Sequence, residues 1–526
     1  MKNTFSQAMA WLHTWAGLVI GWLLFVIFVG GTIACFDKEL THWMQPALHG
    51  KTPVANIDLS RTIEGLQGIA KPHPHAYYVT LPSERSPALQ SAVYYDAGPH
   101  DAISIDTSTG QAIPETAGGE FFFTLHYNLH SETWGMYIVG IAGMFMLIAI
   151  LTGIVIHKRI FKDFFTFRPA SGGQRAWLDG HNLTGVLGLP FHLMIAYTGV
   201  AIFVANYMPA GLLAAYDGDV EKFYVEASDS YERPETHRPL KSIYPIDKLI
   251  ADARERLGQP ISWVSVHHPD DTSATISFGG DHSRAVAWNF DQVFYDANDG
   301  KLLHESGAFK SGYKTYTFLG GLHMAQWGGS ALRWLYFVLG LAGCVMIASG
   351  MQVWVAKRAK KVAEAGAWSG YGLVQALNLG VVGGMPLASA AMLIANRLIP
   401  AATAERASWE IGVFCAVWIL ASLYAAIPAV RSRGWGHFFA LNAVACALIP
   451  LVNLATSPQS HVFATIARGD WALAGVDLTA LGLCVGFAWL ARHSFAKARE
   501  PAPARPARGR AARGDAAVNE TAVADH

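Results

Sequence analysis

The sequence predicts a mainly α membrane protein: a four-helix transmembrane bundle built from a parallel internal repeat, two external α+β domains, and an additional C-terminal four-helix membrane region. Three observations predict it. Apolar runs of roughly 20 residues, long enough to cross a bilayer as helices, recur along the chain. Two stretches share one spacing of histidines and glycines. Between the apolar runs of each stretch lies a polar segment that ends in strand-like sequence and a glycine turn.

Composition agrees. Lys plus Arg and Asp plus Glu both number 39 in 526 residues, so the net charge is zero and no nucleic-acid surface is expected. Charged residues make up only 15% of the chain and mean hydropathy is positive.

Spans are expected at Leu12–Phe36, Gly135–His157, Leu183–Ala205, Leu332–Val355, Gly372–Ala395, Ile411–Ala429, Phe438–Ala455 and Trp471–Ala491. The first run is too long for a signal-peptide core and no small-residue cleavage site follows it, so it reads as a retained helix. Lys158, Arg159, Lys162, Arg168 and Arg175 follow the second span, Lys357, Arg358, Lys360 and Lys361 the fourth, and Arg431 and Arg433 the sixth. The positive-inside rule makes these loops cytoplasmic and puts both termini inside.

The plan is then a first span in 1–36, an external domain in 37–134, a span at 135–157, a cytoplasmic loop at 158–182 and a span at 183–205. A second external domain occupies 206–331, with a span at 332–355 and a cytoplasmic linker at 356–371. The four-span region covers 372–491, and the Ala/Pro/Arg-rich tail at 492–526 reads as disordered and cytoplasmic. In a Gram-negative bacterium the membrane is the inner one and the external domains are periplasmic.

The repeat is specific. His13 opens HTWAGLVIGW and His181 opens HNLTGVLGLP; Gly17 and Gly185 follow by four residues, Gly31 and Gly199 by eighteen. LHYNLHSETWG precedes IVGIAG at Ile138–Gly143, and LHMAQWGG precedes VLGLAG at Val338–Gly343. Each is followed by Thr-Gly or Ser-Gly and a basic stop at Lys158 or Lys357, and His126 and His323 correspond within about one helical turn. SIDTSTGQAI at Ser104–Ile113 and FYDANDGKLL at Phe294–Leu303 read as hairpins. In the second copy IDKLIADARERLG has apolar Ile246, Leu249, Ile250, Ala253 and Leu257 at helical spacing, and ISWVSVHH and ATISFGG are strand candidates. Both copies run outward and then inward, so an axis along the membrane normal relates them.

Histidines at membrane depth mark function by default. Across such an axis His13 faces His181 near the cytoplasmic side and His126 faces His323 near the outer side, and opposed imidazoles are what six-coordinate haem iron needs. The competing reading is that these rings cap helices or sit at the interface. His130, one turn beyond His126, and His192, eleven residues beyond His181 and nearer the bilayer middle, are alternative ligands. His157 at the end of the second span is a further, weaker candidate. Cys35, Cys344, Cys415, Cys446 and Cys484 show no C-x-x-C or C-x-x-C-H spacing, so no zinc site, disulfide framework or thioether-linked haem is supported. His267 and His268 beside Asp270 and Asp271, and His73 and His75 next to Pro72 and Pro74, read as external loops ahead of metal clusters. Arg333 suits either a haem propionate or an interfacial anchor.

The chain resembles the PepSY-associated transmembrane family of iron-regulated membrane proteins, which includes inner-membrane ferric-siderophore reductases. The resemblance rests on WLHTWAGL at 11–18, LHYNLH with its following WG, DGHNLTG at 179–185 and GLHMAQWGG at 321–329, and covers roughly 1–360. It implies PepSY-like external domains and two non-covalent b-type haems held by His13, His126, His181 and His323. It implies electron transfer to ferric siderophores or other ferric chelates on the outer side. The electron donor is either membrane quinol or a cytoplasmic reductant, since no G-x-G-x-x-G opens a helix after a strand. Two rival readings are an iron or siderophore transporter using the repeats for alternating access, and a peptide-binding regulatory protein using the external domains. Residues beyond 370, where His437, His461 and His493 are unpaired, depart from the shorter members.

Overall fold

The computed structural model describes residues 4–51, 56–96, 100–157, 173–281, 283, 285–288, 291–359, 362, 370–431 and 433–499. The basic residues Lys158, Arg159, Lys162, Arg168, Lys360 and Lys361 and the tail beyond residue 499 lie outside them.

Among the described residues seven helices are long and apolar enough to cross a membrane: α1 (Phe5–Ala34), α5 (Glu132–Ile156), α10 (Gly329–Arg358), α11 (Gly370–Leu398), α12 (Arg406–Ala426), α13 (Gly434–Thr456) and α14 (Trp471–Lys497). Much of their surface is apolar and uncovered, as with Ile138, Ile141, Leu151 and Ile154 on α5, which lipid satisfies and water does not. The chain is a multi-pass membrane protein.

The expected single span at Leu183–Ala205 is two helices, α6 (Gly173–Leu187) and α7 (Leu189–Ile202), bent by 68°. Pro190 lies in the first turn of α7 and Gly188 precedes it, so the helical hydrogen-bond ladder is interrupted there. The pair counts as an eighth span if it crosses as one. In the bundle α1 packs on α5 and α10, α6 packs on α10, and α7 packs on α5.

Two helices, α2 (Asp37–Trp43) and α3 (Leu59–Ile69), follow α1 and lead to strands β1 (Ala76–Thr80), β2 (Leu89–Tyr94), β3 (Asp101–Asp106) and β4 (Gln111–Ala112). A short helix, α4 (Glu120–Asn128), then precedes α5. Later in the chain come α8 (Ile250–Leu257), β5 (Ile261–His267), β6 (Thr275–Gly280), β7 (Gln292–Asp296), β8 (Leu302–Glu305) and α9 (Ser311–Met324). The hairpin turns carry Gly110 and Gly300 at φ +70° and +75°, a conformation that a side chain strains.

Two external α+β domains were expected; among the described residues the strands of both segments join in one sheet. All eight strands form a single antiparallel sheet in the order β4-β3-β2-β1-β5-β6-β7-β8. Its seam is the β1–β5 pair, with Tyr78 opposite Ser265. Left apart, β1 and β5 would each be an edge strand with unpaired backbone groups, and joining them removes both edges. One core spans the seam: Leu59, Ile63 and Leu66 from α3, Leu249 just before α8 and Ala253 within it pack over Tyr77, Val79, Val264, Val266, Ile276 and Phe278.

Candidate functional site: two facing histidine pairs

His13 on α1 faces His181 on α6 with ring centres 6.1 Å apart and planes at 69°. His126 on α4 faces His323 on α9 at 5.9 Å and 28°. Each pair therefore takes one ring from each half of the repeated sequence. On α1 the carbonyl beside His126 is that of Ile27, fourteen residues beyond His13, so the pairs are about 21 Å apart along that helix.

All four rings are anchored in the same way. His13 Nδ1 donates to the Ala149 carbonyl at 2.8 Å, His181 Nδ1 to Met346 at 2.8 Å and His126 Nδ1 to Ile27 at 2.8 Å. His323 Nδ1 lies 3.0 Å from Thr198 Oγ1, with the Ile195 carbonyl also in bonding reach. Since Thr198 already donates to Met194 O, its oxygen accepts from the ring. A carbonyl only accepts, so the proton sits on Nδ1 and each Nε2 keeps its lone pair. No hydrogen bond is made to those four Nε2 atoms among the described residues.

A glycine seats each ring, four residues beyond the carbonyl it faces. A Cβ added at Gly31 would lie 2.7 Å from His126 Cε1, at Gly199 2.9 Å from His323, at Gly350 3.0 Å from His181 and at Gly153 3.3 Å from His13. The spacing of Gly31 and Gly199 and the Thr-Gly and Ser-Gly dipeptides are visible in the sequence. That these glycines are ring seats is visible only once the helices are packed.

His130 and His192 are not brought to another histidine. His130 Nε2 donates to the Phe121 carbonyl at 2.9 Å and the ring stacks on Phe121. His192 Nε2 faces the Leu339 carbonyl at 3.3 Å, its ring seated between Gly188 and Gly343, and Nδ1 is buried with no partner. Both present the opposite tautomer to the four paired rings. His157 caps the C-terminus of α5. Arg333 approaches Glu39 at 3.5 Å, with Nε buried and unpartnered.

Outside the membrane helices the sheet gathers a second group that sequence reading left in separate loops. His75 packs against His267 at 5.7 Å and His268 at 5.4 Å, and Glu232 lies 3.6 Å and 3.8 Å from their respective ring nitrogens. Asp271 is not part of it, because its carboxylate binds the backbone amides of Thr236, Arg238 and Ser273. Burial, then the neighbouring His75 and His268, holds His267 down at about 4.

No group of three or more His, Cys, Asp or Glu side chains is arranged to hold a metal ion among the described residues. Each histidine pair thus offers two nitrogen donors and, among the described residues, no third. An imidazole centre lies about 1.1 Å from its nitrogen and a metal–imidazole bond is about 2 Å, so two rings that shared one metal would have centres up to about 6 Å apart. Both pairs have that spacing.

Residues 10–357 match the family described as the PepSY-associated TM region. An uncharacterized protein, PA4219 of Pseudomonas aeruginosa, is 29% identical over 398 residues, an alignment covering 73% of this chain and 96% of that protein.

Proposed function

The chain belongs to the PepSY-associated TM family, and from that membership and the two facing pairs we propose that it is a di-haem b-type electron-transfer protein of the bacterial inner membrane, reducing ferric chelates such as ferric siderophores on the periplasmic side. The carrying observation is the shared chemistry of the four rings: Nδ1 spent on the protein, Nε2 free, centres 6.1 Å and 5.9 Å apart. A metal given only two protein donors must bring its other ligands with it, as the iron of a porphyrin would. His13 and His181 would hold one haem, and His126 and His323 the other. When bound, such a group would supply one-electron exchange.

The protein's part is orientation and insulation. The Nδ1–H bonds fix the tautomer and turn each ring, as hydrogen bonds behind a metal-bound histidine do. Each of the four histidines is partly buried between helices. The two halves of the sequence stand as parallel copies about an axis along the membrane normal, with termini cytoplasmic and the shared sheet periplasmic. The donor is quinol or a cytoplasmic reductant. Gain of one electron weakens the hold of hard oxygen chelators on iron, so reduction releases the metal.

Transport of iron or siderophore by alternating access gives no reason for identical tautomers at both membrane faces, and peptide binding by the sheet leaves the pairs without a role. A visible spectrum of protein purified from haem-replete cells tests the reading. A Soret band with reduced α and β bands, halved in His13→Ala and in His323→Ala, supports it, and a colourless protein sinks it. Mixing the dithionite-reduced protein with candidate ferric chelates and following reoxidation then identifies the acceptor.

A further inference from the structure

The four C-terminal helices lie beyond the residues matched by the family, and the histidine pairs need none of their side chains. Their charged groups are nevertheless buried together at one end of α11, α12, α13 and α14. Glu410, near the start of α12 and wholly buried, accepts from Thr116 Oγ1 at 2.8 Å, the Ala117 amide at 2.8 Å and Asn396 Nδ2 at 2.8 Å. Arg406 pairs with Glu410 at 2.7 Å and donates to the carbonyls of Glu115 and Asn396. Arg397 donates to Asn453 at 2.9 Å and to the Trp43 carbonyl, and its guanidinium lies over the Trp43 ring at 3.7 Å. Asp477 accepts from Trp43 Nε1 at 3.2 Å and Asn453 Nδ2 at 2.9 Å. One ion pair, Arg406 with Glu410, and a second couple of opposite charge joined through Asn453, Arg397 with Asp477, are thus closed by hydrogen bonds. Such a set is costly to open, because removing one member strands its partner without water.

What the set grips is specific: Trp43 and Met44 at the end of α2, and residues 115–117, which lead through Gly118 and Gly119 into α4. The helix so held carries His126. Phe414 of α12 continues the contact, with ring centres 4.9 Å from Phe121 and 6.4 Å from Phe122, both on α4. The corresponding helix of the second copy, α9, is braced by its own extramembrane segment. A Cβ on its Gly321 would meet the Val286 carbonyl at 1.5 Å, and the Trp288 amide donates to Thr317 at 3.2 Å.

We propose that the C-terminal helices clamp α4, with Glu410 and Arg406 as positioning residues that fix the backbone at 115–117 and so hold His126 in register against Ile27 and Gly31. Its spectroscopic readout rests on the two-haem reading, and its backbone readout does not.

The test is hydrogen–deuterium exchange on the full-length protein in detergent, wild type against Glu410→Gln. Loss of charge-assisted hydrogen bonds should raise exchange over 115–128 by about tenfold or more, and leave 311–324 unchanged. Unchanged exchange over 115–128, or equal acceleration of both segments, overturns the clamp. If Glu410→Gln does not accumulate, Thr116→Val removes one donor and should give a smaller rise over 115–128 alone; no rise there overturns it equally. In pigmented protein the clamp requires that the haem component lost in His126→Ala shifts its midpoint potential in Glu410→Gln while the other stays. A parallel shift of both counts against it. A colourless wild type ends the haem reading and leaves the exchange comparison to decide the clamp.

Discussion

Adding a single methyl group at Gly31 separates a haem-holding histidine from a buried structural one. In Gly31→Ala the new Cβ falls 2.7 Å from both Cε1 and Nδ1 of His126, about 0.7 Å inside ordinary contact. The ring has little room to retreat. His323 is stacked against it, and a Cβ on the neighbouring Gly30 would itself lie 3.1 Å from the Phe122 carbonyl and 3.3 Å from the His126 amide, so the backbone there is closely packed. Relief requires turning the ring, which gives up the 2.8 Å bond to the Ile27 carbonyl. Overpacking costs about 1–3 kcal/mol and the lost hydrogen bond about 1 more. On the proposed two-haem reading we expect loss of about half the bound haem with the component assigned to His126 affected first, read by haem-to-protein ratio and low-spin electron paramagnetic resonance. The control is Gly17→Ala on the same helix, where nothing lies within 4 Å. It should keep both haems and lose no stability, because Ala is the better helix former. Gly153→Ala, at 3.3 Å from His13, should be the mildest of the four seat variants. Gly31→Ala protein with wild-type haem stoichiometry and an unchanged spectrum would refute the seat argument.

Two further outcomes follow from tautomer and charge. His130→Gln and His192→Gln should retain both haems, since each ring already gives Nε2 to a carbonyl; loss of one haem in either, by pyridine haemochrome assay, would return that residue to the ligand set. His267 is ordinarily protonated near 6.5 but is held at about 4 by burial, then by His75 and His268, while Glu232 faces it at 3.6 Å. The unfolded chain therefore takes up a proton that the folded one refuses, so this contribution is complete above pH 6.5 and is lost as pH falls toward 4. Thermal unfolding between pH 7.5 and about 4.5 should show a fall in midpoint that is shallower in His267→Gln, and modest because the ring is 35% exposed; identical slopes for the two proteins would remove His267 from the account.

Much of the architecture is legible in the sequence because its signals are local. Apolar run length locates the membrane helices, and the glycine turns at 110 and 300 locate the hairpins. The four paired histidines emerge from matched spacing alone. Three features do not emerge, each for a physical reason. The break at Gly188 is hidden because Pro190 is as compatible with a helix start as with a kink. The β1–β5 seam joins strands nearly two hundred residues apart, and nothing in either strand names its partner. The polar network of Asn396, Arg397, Arg406, Glu410, Asn453 and Asp477 is scattered over four helices, where each residue alone reads as a span-end anchor.

The seam bears directly on the histidines. Each pair takes one ring from either half of the sequence, so a shift of one half against the other disturbs both pairs at once, whereas a fault in one seat disturbs one. The halves meet in the membrane at α1 with α10 and at α5 with α7, and outside it along β1–β5 over a single core. Tyr78→Pro tests whether the outer contact helps set the inner ones. Tyr78 is central in β1, which is paired on both sides, and proline there removes a ladder donor and disfavours the strand. The two haem components should then decline together, in contrast to the selective loss expected of Gly31→Ala. If Tyr78→Pro instead removes only the His126–His323 component, the sheet supports the nearer pair alone, and the membrane contacts suffice to hold His13 against His181.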